Sequence, residues 1–221
     1  DQVQENGVSG LNDITYQLYL GFMRRVYALQ DHSREESIFD REWDILVILD
    51  ACRRDIIESV EGNYEFLTKK DRFRSMGSMS REWMQKNFSD AYSDELSQTA
   101  YVSGNVFTDD YADPNQFAYL DEVWKYAWED GTVPARAITD RGIDVHRKKN
   151  PDRMILHYMQ PHAPSVPDPI GEGMALPEDE DDWTSAPELL RRGAVTKDRL
   201  VESYRMNLRY VLDDVRLLLE N

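Results

Sequence analysis

A continuous apolar run that ends in an acidic residue constrains the fold of this 221-residue chain more than any other feature. Residues 44–50 read DILVILD, and the next ten residues, ACRRDIIESV, have the spacing of a helix. A strand that is apolar on both faces is typical of the interior of a parallel sheet, because helices cover both sides of such a sheet. We therefore predict a strand–loop–helix unit that begins at Asp44.

Other segments of the chain continue this alternation of strands and helices. The predicted strands are RMILHYMQ (153–160), TAYVSGN (99–105) and the shorter candidates YEFLT and RFRSM within residues 63–76. The predicted helices are one of about eight residues with Ser80 as its N-cap, then residues 114–130, 138–149 and 196–220, with Thr196 as the N-cap of the last. Strands that alternate with helices indicate an α/β fold whose sheet is mostly parallel and flanked by helices.

The predicted domain organisation has two parts. Residues 11–30 space their apolar side chains as an amphipathic helix, so residues 1–32 are assigned to an N-terminal helical segment and residues 33–221 to the α/β domain. A polar stretch rich in proline, glycine and acid covers about 163–187. Connections of this length are usually functional or mobile, and we predict a mobile acidic loop there.

The charge balance narrows the classes of function. Asp and Glu total 42 against 26 Lys and Arg, for a net charge of −16. Such a surface repels nucleic-acid backbones, so no nucleic-acid partner is expected. The basic residues comprise 19 Arg and only 7 Lys. Acid excess with scarce lysine favours a halophilic protein, in which molar salt screens charge over about 3 Å. An ordinary acidic protein is the alternative.

Neither a membrane span nor an export signal is predicted. No run approaches the roughly 18 apolar residues that a transmembrane helix requires. Residues 1–10 are polar and acidic, unlike a secretory signal, and the expected location is cytoplasmic. Cys52 is the only cysteine, so no intrachain disulfide is expected.

Three groups of polar residues follow predicted strands, where ligands bind in open α/β sheets. Asp50 ends the first strand and is either a metal ligand or the cap of the next helix. Ser78 and Ser80 stand where a helix begins, a position that suits a nucleophile, an anionic ester or a plain cap. His162 follows the strand 153–160 and is either an anion or metal ligand or a structural residue. Arg53 is a candidate for contact with an anionic substrate, against a surface or ion-pair role, and His157 is expected to be a satisfied core or supporting residue.

Four segments together resemble one protein family. WDILVILDACRRD (43–55) resembles the metal-binding first strand of sulfatase-like members of the alkaline phosphatase superfamily, and GSMSREW (77–83) resembles their nucleophile segment. HYMQPHAP (157–164) resembles their Pro-His-x-Pro turn, and residues 202–221 resemble the helix that precedes their last metal-binding strand. The segments occur in family order, and the chain looks most like the sulfatase-like proteins of salt-loving archaea.

The resemblance implies that the chain is an enzyme and gives each candidate residue a role. Asp50 would bind a divalent metal (Zn, Mg, Mn or Ca), and Ser80, with Ser78 as the second candidate, would be the nucleophile. His162, with Arg53 or Arg81, would bind the substrate. The implied activity is hydrolysis or transfer of a small-molecule or glycan sulfate or phosphate ester through a covalent ester on serine. Oligomerisation is compatible with the sequence.

The chain departs from the family pattern at several places. The sulfatase signature Cys-x-Pro-Ser-Arg is absent, and the paired Asp-Asp of the first strand is Asp50-Ala51 here. Family members continue past the equivalent of Asn221 into a strand with an Asp-His-Gly motif that completes the metal site, so the sulfatase-like fold is expected to be incomplete at the C-terminus. The alternative hypothesis is a non-catalytic interaction module that retains the fold.

Overall fold

The computed structural model describes residues 35–68, 71–72, 74–171 and 186–221. Apart from Glu35, these residues belong to one compact unit, residues 36–221. The strands of the described residues are β1 (Glu35–Glu36), β2 (Ile45–Leu49), β3 (Arg74–Ser75), β4 (Thr99–Ser103), β5 (Tyr119–Glu122) and β6 (Arg153–Tyr158). Strands β2, β6, β4 and β5 form, in that order, a four-stranded sheet in which every pairing is parallel, and β1 and β3 form a separate two-stranded sheet.

Helices fill the connections between the strands. They are α1 (Arg54–Val60), α2 (Ser80–Asn87), α3 (Ser93–Ser97), α4 (Thr108–Tyr111), α5 (Trp124–Ala127), α6 (Ala135–Lys149), α7 (Ala186–Arg191) and α8 (Lys197–Leu219). Short 3-10 helices cover Ile38–Asp40, Glu61–Asn63 and Asp90–Tyr92. None of the helices in the described residues is both long enough and apolar enough to span a bilayer.

The two faces of the sheet bury separate hydrophobic cores. Ala100 and Val102 of β4 belong to the core beneath α1, α6 and α8, whereas Tyr101 between them belongs to the core on the opposite face. Successive side chains of a strand point to opposite faces, so an unbroken apolar strand supplies both cores. The chain is therefore an α/β protein whose parallel sheet is flanked by helices, as predicted.

The strand register brings the carboxyl ends of β2, β6 and β4 to one edge. Leu49 pairs with Tyr158, and Ser103 pairs with His157. The next residues continue the alignment: the N–H of Asp50 donates to the carbonyl of Tyr158 over 3.1 Å, and that of Gly104 donates to the carbonyl of His157 over 2.9 Å. The residues that follow these three strands therefore lie close together.

Most of the long elements agree with the sequence predictions. The strands at 44–50, 99–105 and 153–160 are confirmed as β2, β4 and β6, and the helices at 138–149 and 196–220 as α6 and α8. Thr196 caps α8 as predicted, because its side chain accepts a hydrogen bond from the N–H of Arg199. The predicted helix at 11–30 lies outside the described residues, as do residues 172–185 of the predicted acidic loop.

Three local predictions were wrong. Residues 114–130 form no continuous helix but contain β5 and α5, because Ala118 and the β5 strand pair with β4 and the sheet supplies the backbone hydrogen bonds. YEFLT (64–68) forms turns rather than a strand. Ser80 is the first residue of α2 rather than its N-cap, and Met79, with an extended backbone, holds the capping position.

Candidate functional site

Asp50 is the centre of a polar cluster at the carboxyl edge of the sheet. Its side chain is 16% exposed. Its carboxylate oxygens lie 3.3 and 3.2 Å from the hydroxyl of Ser80, and Oδ2 accepts a 2.9 Å hydrogen bond from Nδ2 of Asn105. Nε2 of His157 lies 4.0 Å from the same Oδ2. We define Asp50, Ser80, Asn105 and His157 as the edge cluster.

The backbone after β2 separates Asp50 from the next helix. Ala51 has a left-handed conformation with φ of 57°, and α1 begins only at Arg54, with Arg53 in the capping position. Asp50 therefore does not cap α1, and that alternative is wrong. The Tyr204 hydroxyl of α8 donates to the carbonyl of Ala51 over 2.6 Å and accepts from the N–H of Arg53 over 2.8 Å, which ties this turn to the long helix.

Ser80 reaches Asp50 because α2 begins at that residue. The first backbone hydrogen bond of the helix runs from the N–H of Trp83 to the carbonyl of Met79. The N–H groups of the preceding turn have no helical partner, and together with the helix dipole they create a positive field at Ser80. The Ser80 hydroxyl thus combines a carboxylate neighbour with a helix N-terminus.

Gly77 allows the approach to α2 because it has no side chain. A Cβ at this position would lie 2.6 Å from the Cα of Trp83 and 2.9 Å from the carbonyl carbon of Glu82. Both neighbours are helical backbone, which cannot rotate away as a flexible side chain could. The segment from Gly77 to Ser80 can therefore follow its observed path only with glycine at position 77.

We predict that Gly77→Ala lowers the free energy of unfolding by about 1–3 kcal/mol, the usual cost of forcing extra atoms into a packed site. Gly62→Ala is the matched control, because a Cβ at Gly62 would meet nothing within 4 Å. Urea unfolding of both variants measures the difference. Equal stabilities of the two variants would show that the segment moves aside without cost.

Ser78, the second nucleophile candidate, hydrogen-bonds a different carboxylate, that of Glu82. Its N–H and its hydroxyl hydrogen-bond Oε2 of Glu82 over 2.9 and 3.0 Å. The hydrogen bond from the Ser78 N–H, helped by Lys86, lowers the pKa of Glu82 to about 2. Ser78 therefore lies in the turn that leads into α2, with its hydroxyl on Glu82 rather than on Asp50.

Asn105 is the member of the edge cluster that the sequence analysis missed. It follows β4 and is 1% exposed. Its Oδ1 accepts a hydrogen bond from the N–H of Phe107 over 3.0 Å, which orients Nδ2 toward Asp50. The sequence did contain a signal for this residue, because the predicted strand 99–105 ends at Asn105. The other candidates were chosen because they are polar residues that follow predicted strands.

His157 is buried, and its two ring nitrogens have different surroundings. Nδ1 lies 2.8 Å from the hydroxyl of Tyr101, whereas Nε2 has no hydrogen-bond partner among the residues that the structure describes. Burial lowers the pKa of His157, and the nearby Asp50 carboxylate only partly offsets this effect. His157 is therefore buried beside Asp50, which agrees with the prediction of a core or supporting residue, but the partner expected for Nε2 is missing among the described residues.

His162 touches Asp50 through its backbone. Its N–H donates to the carbonyl of Asp50 over 3.1 Å, while its Nδ1 lies 2.7 Å from the carbonyl of Ala163. Two cis peptide bonds, Gln160–Pro161 and Ala163–Pro164, flank the residue. The predicted substrate-binding histidine is thus at the correct edge of the sheet, with its ring hydrogen-bonded to the neighbouring residue.

Asn207 of α8 holds the loop that carries His162. It is fully buried; Nδ2 donates to the carbonyls of His162 and Pro164 over 3.1 and 3.2 Å, and Oδ1 accepts from the N–H of Val166 over 3.1 Å. One amide therefore pairs three backbone groups of the loop. Together with Tyr204, it connects both site loops to α8.

We expect Asn207→Ala to lower the free energy of unfolding by about 2–4 kcal/mol, because the three loop groups would lose their buried partner. Asn115→Ala is the control, since Asn115 is exposed and its side chain bonds Asp113 alone among the described residues; we expect a change within about 0.5 kcal/mol. Urea denaturation of both variants provides the comparison. An Asn207→Ala protein as stable as the control would mean that the loop does not depend on α8.

The two predicted arginines have partners outside the edge cluster. Arg53 forms an ion pair with Asp55 at 2.8 Å, and its side chain is 68% exposed. Nε of Arg81 lies 2.9 Å from the sulfur of Met79, at the surface beside Ser80. Within the described residues, neither guanidinium bonds a member of the edge cluster, so the structure brings together Asp50 and Ser80 but not these arginines.

The edge cluster offers few ligands for a metal. Among the residues that the structure describes, no group of three His, Cys, Asp or Glu side chains is arranged to hold an ion. Asp50 and the Ser80 hydroxyl supply oxygen ligands, whereas Nδ2 of Asn105 is a donor and does not bind cations. Zinc sites use at least three protein ligands and calcium sites use six to eight oxygens. The described residues alone do not form a complete metal site.

Comparison with known proteins finds no family model, no curated protein and no solved structure that matches this chain.

Proposed function

We propose that this chain hydrolyses or transfers sulfate or phosphate esters through a covalent ester on Ser80. The observation that carries the proposal is the contact of the Ser80 hydroxyl with the Asp50 carboxylate at the N-terminus of α2. A serine hydroxyl is a weak nucleophile unless an adjacent base removes its proton. Asp50 lies within reach to act as that base, with 3.2 Å between the nearer pair of oxygens.

The surroundings of Ser80 suit the transfer of an anionic group. The N–H groups of the first turn of α2, which have no acceptor within the helix, would donate to the oxygens of a sulfuryl or phosphoryl group, as helix N-termini do for such anions. The hydrogen bond from Asn105 fixes the orientation of Asp50 without neutralising it. Ser80 is preferred over Ser78 because the hydroxyl of Ser78 bonds Glu82, away from Asp50.

Membership of the alkaline phosphatase superfamily is part of this proposal. Its support is that two of the resembling segments, 43–55 and 77–83, place Asp50 and Ser80 in hydrogen-bond contact, and that a third, 157–164, begins at His157 beside them. A divalent metal bound through Asp50 and Ser80 would act as a Lewis acid on the ester. The roles proposed for the chain's own residues do not depend on it.

The direct test is to find the covalent ester. The wild-type protein is incubated in molar salt with p-nitrophenyl phosphate and, separately, with p-nitrophenyl sulfate. Release of nitrophenol is followed, and the quenched protein is digested and analysed by mass spectrometry. We expect a phosphoryl or sulfuryl group on the peptide that contains Ser80. Turnover with modification of another residue would contradict the assignment of Ser80.

A non-catalytic interaction module is the second candidate, and the absence of a complete metal site among the described residues favours it. In the same experiment this candidate predicts no nitrophenol release and no modified peptide with either ester, also when Mn²⁺ or Zn²⁺ is added.

A further inference from the structure

The turn that follows Asp50 contains a residue in an unfavourable backbone conformation. Ala51 has φ of 57°, in the left-handed region, where a Cβ crowds the following carbonyl oxygen. Residues other than glycine keep such a conformation only where the surrounding structure holds them in it, and they cluster at functional sites. Because Ala51 stands directly after the carboxylate of the edge cluster, its conformation decides the direction in which the chain leaves Asp50.

The hydroxyl of Tyr204 spans this turn. It donates to the carbonyl of Ala51 over 2.6 Å and accepts from the N–H of Arg53 over 2.8 Å. Burial raises the pKa of Tyr204 to about 12, so the hydroxyl keeps its proton at neutral pH and remains a donor to Ala51. One side chain of α8 therefore holds both ends of the turn in which the left-handed residue lies.

Asp50 lies between this turn and the sheet. Its N–H donates to the carbonyl of Tyr158 over 3.1 Å, and its own carbonyl accepts from the N–H of His162 over 3.1 Å. The pairing with β6 fixes the chain before Asp50, and the turn fixes the chain after it. If Ala51 relaxed to another conformation, the peptide between Asp50 and Ala51 would rotate. The contact that would change is the one of 3.2 Å between the Asp50 carboxylate and the Ser80 hydroxyl.

We propose that Tyr204 is a positioning residue: it holds Ala51 in its left-handed conformation and so places the carboxylate of Asp50 against the nucleophile. This inference rests on the proposed function, in which that carboxylate removes the proton of Ser80. Within the described residues, the hydrogen bonds of the Tyr204 hydroxyl are those to the turn, so its effect on the reaction passes through Asp50.

The first test is Tyr204→Phe, which keeps the ring and removes the hydroxyl. We expect kcat for the nitrophenyl esters to fall about 10- to 100-fold, since a displacement of about 1 Å at a reacting group can cost 10²-fold. KM should change by less than about twofold, because an interaction that acts only in the transition state leaves substrate binding unchanged.

Tyr64→Phe is the matched control for this test. The Tyr64 hydroxyl also bonds α8, at the carbonyl of Arg209 over 3.1 Å and at Oδ1 of Asp213 over 3.2 Å, and among the described residues it bonds none in the turn after β2. We expect the kcat of Tyr64→Phe to match the wild type. Equal kcat values in Tyr64→Phe and Tyr204→Phe would overturn the inference.

Two double variants separate positioning from a general loss of stability. In the Asp50→Asn protein the base is absent, so the addition of Tyr204→Phe should cause no further loss of kcat. In the Tyr204→Phe protein, the addition of Ala51→Gly should recover part of the lost rate, because glycine adopts a positive φ without the steric cost. A further loss in the first pair, or no recovery in the second, would contradict a role through Ala51 and Asp50.

Thermal unfolding shows which variants fold. If Tyr204→Phe does not fold, Ala51→Val takes its place, because a β-branched residue disfavours the same left-handed conformation and position 51 is exposed. We expect the same fall in kcat for this variant. A folded Ala51→Val protein with the wild-type kcat would overturn the inference.

The crystal structure of Tyr204→Phe provides a readout that does not depend on activity. We expect Ala51 to leave the left-handed region and the distance between Asp50 and Ser80 to exceed about 3.5 Å, beyond the range of a hydrogen bond. If the wild-type protein forms no ester on Ser80, the proposed function fails. If the ester forms and Ala51 keeps its φ in Tyr204→Phe, only the role of Tyr204 fails.

Discussion

Ser80→Ala is expected to lower turnover of p-nitrophenyl phosphate and p-nitrophenyl sulfate by at least about 10³-fold, because removal of a nucleophile abolishes the covalent route. Only the hydroxyl group is removed, and within the described part of the chain its hydrogen bonds are those to Asp50. The fold should therefore persist. The measurement is the steady-state rate of nitrophenol release together with mass analysis of the quenched protein, in which the modified peptide should disappear.

Ser78→Ala is the matched control for this prediction. It removes a hydroxyl two residues earlier that bonds Glu82, so its expected cost is about 1 kcal/mol of stability with turnover almost unchanged. The opposite pattern, in which Ser78→Ala is inactive and Ser80→Ala is active, would show that Ser78 is the nucleophile. Full activity in both variants would exclude a serine ester in this segment.

Asp50→Asn is expected to lower turnover by about 10²–10⁴-fold, the contribution of a positioned general base. The carboxamide has nearly the same shape but cannot take the proton of Ser80. It also presents an NH₂ group where Asp50 accepts from both Asn105 and Ser80. The loss should appear in the initial release of nitrophenol as well as in the steady state, because Asp50 removes the proton of Ser80 before the ester forms.

Asp55→Asn is the control for Asp50→Asn. Asp55 is an exposed carboxylate five residues along the chain whose ion pair is with Arg53. Exposed ion pairs contribute at most about 1 kcal/mol, so turnover of this variant should match the wild type. If Asp50→Asn turned over substrate as fast as Asp55→Asn, Asp50 would not be the base, and the contact with Ser80 would be structural only.

The sequence predicts that Asp50 and Ser80 lie at the same edge of the sheet, because the carboxyl ends of parallel strands share one edge. The run at 44–50 is apolar on both faces, and the polar residue that ends it lies at the edge where loops collect. The helix that begins at Ser80 follows another strand candidate. Sequence reasoning therefore placed both residues at one edge, although it did not show which serine faces Asp50.

Asn105 and His157 show what sequence reasoning does not reach. Asn105 ends a predicted strand, but only the registers of β6 with β2 and with β4 place it beside Asp50. At His157, Tyr101, which is 56 residues away, hydrogen-bonds Nδ1. Nε2 is the ring nitrogen that has no partner among the described residues. A pattern along one strand indicates that a residue is buried, but it does not show which of its polar atoms finds a partner.

The segment at 114–130 illustrates the same limit for secondary structure. Its apolar residues have helical spacing, yet the part from Tyr119 to Glu122 is a strand. Pairing with β4 supplies backbone hydrogen bonds to these residues, and this tertiary pairing overrides a weak local preference for helix. Long-range pairing, which local spacing does not contain, decided this element.

The amino-acid sequence by itself determined the α/β class, the long strands and helices, and the edge where polar residues collect, because hydrophobic periodicity and capping act over a few residues. Only the tertiary structure decided that Ser80 rather than Ser78 bonds Asp50, that Asn105 joins them, and that Nε2 of His157 faces the same carboxylate. These contacts depend on strand register and on the start of α2, which are set by packing between residues far apart in the chain.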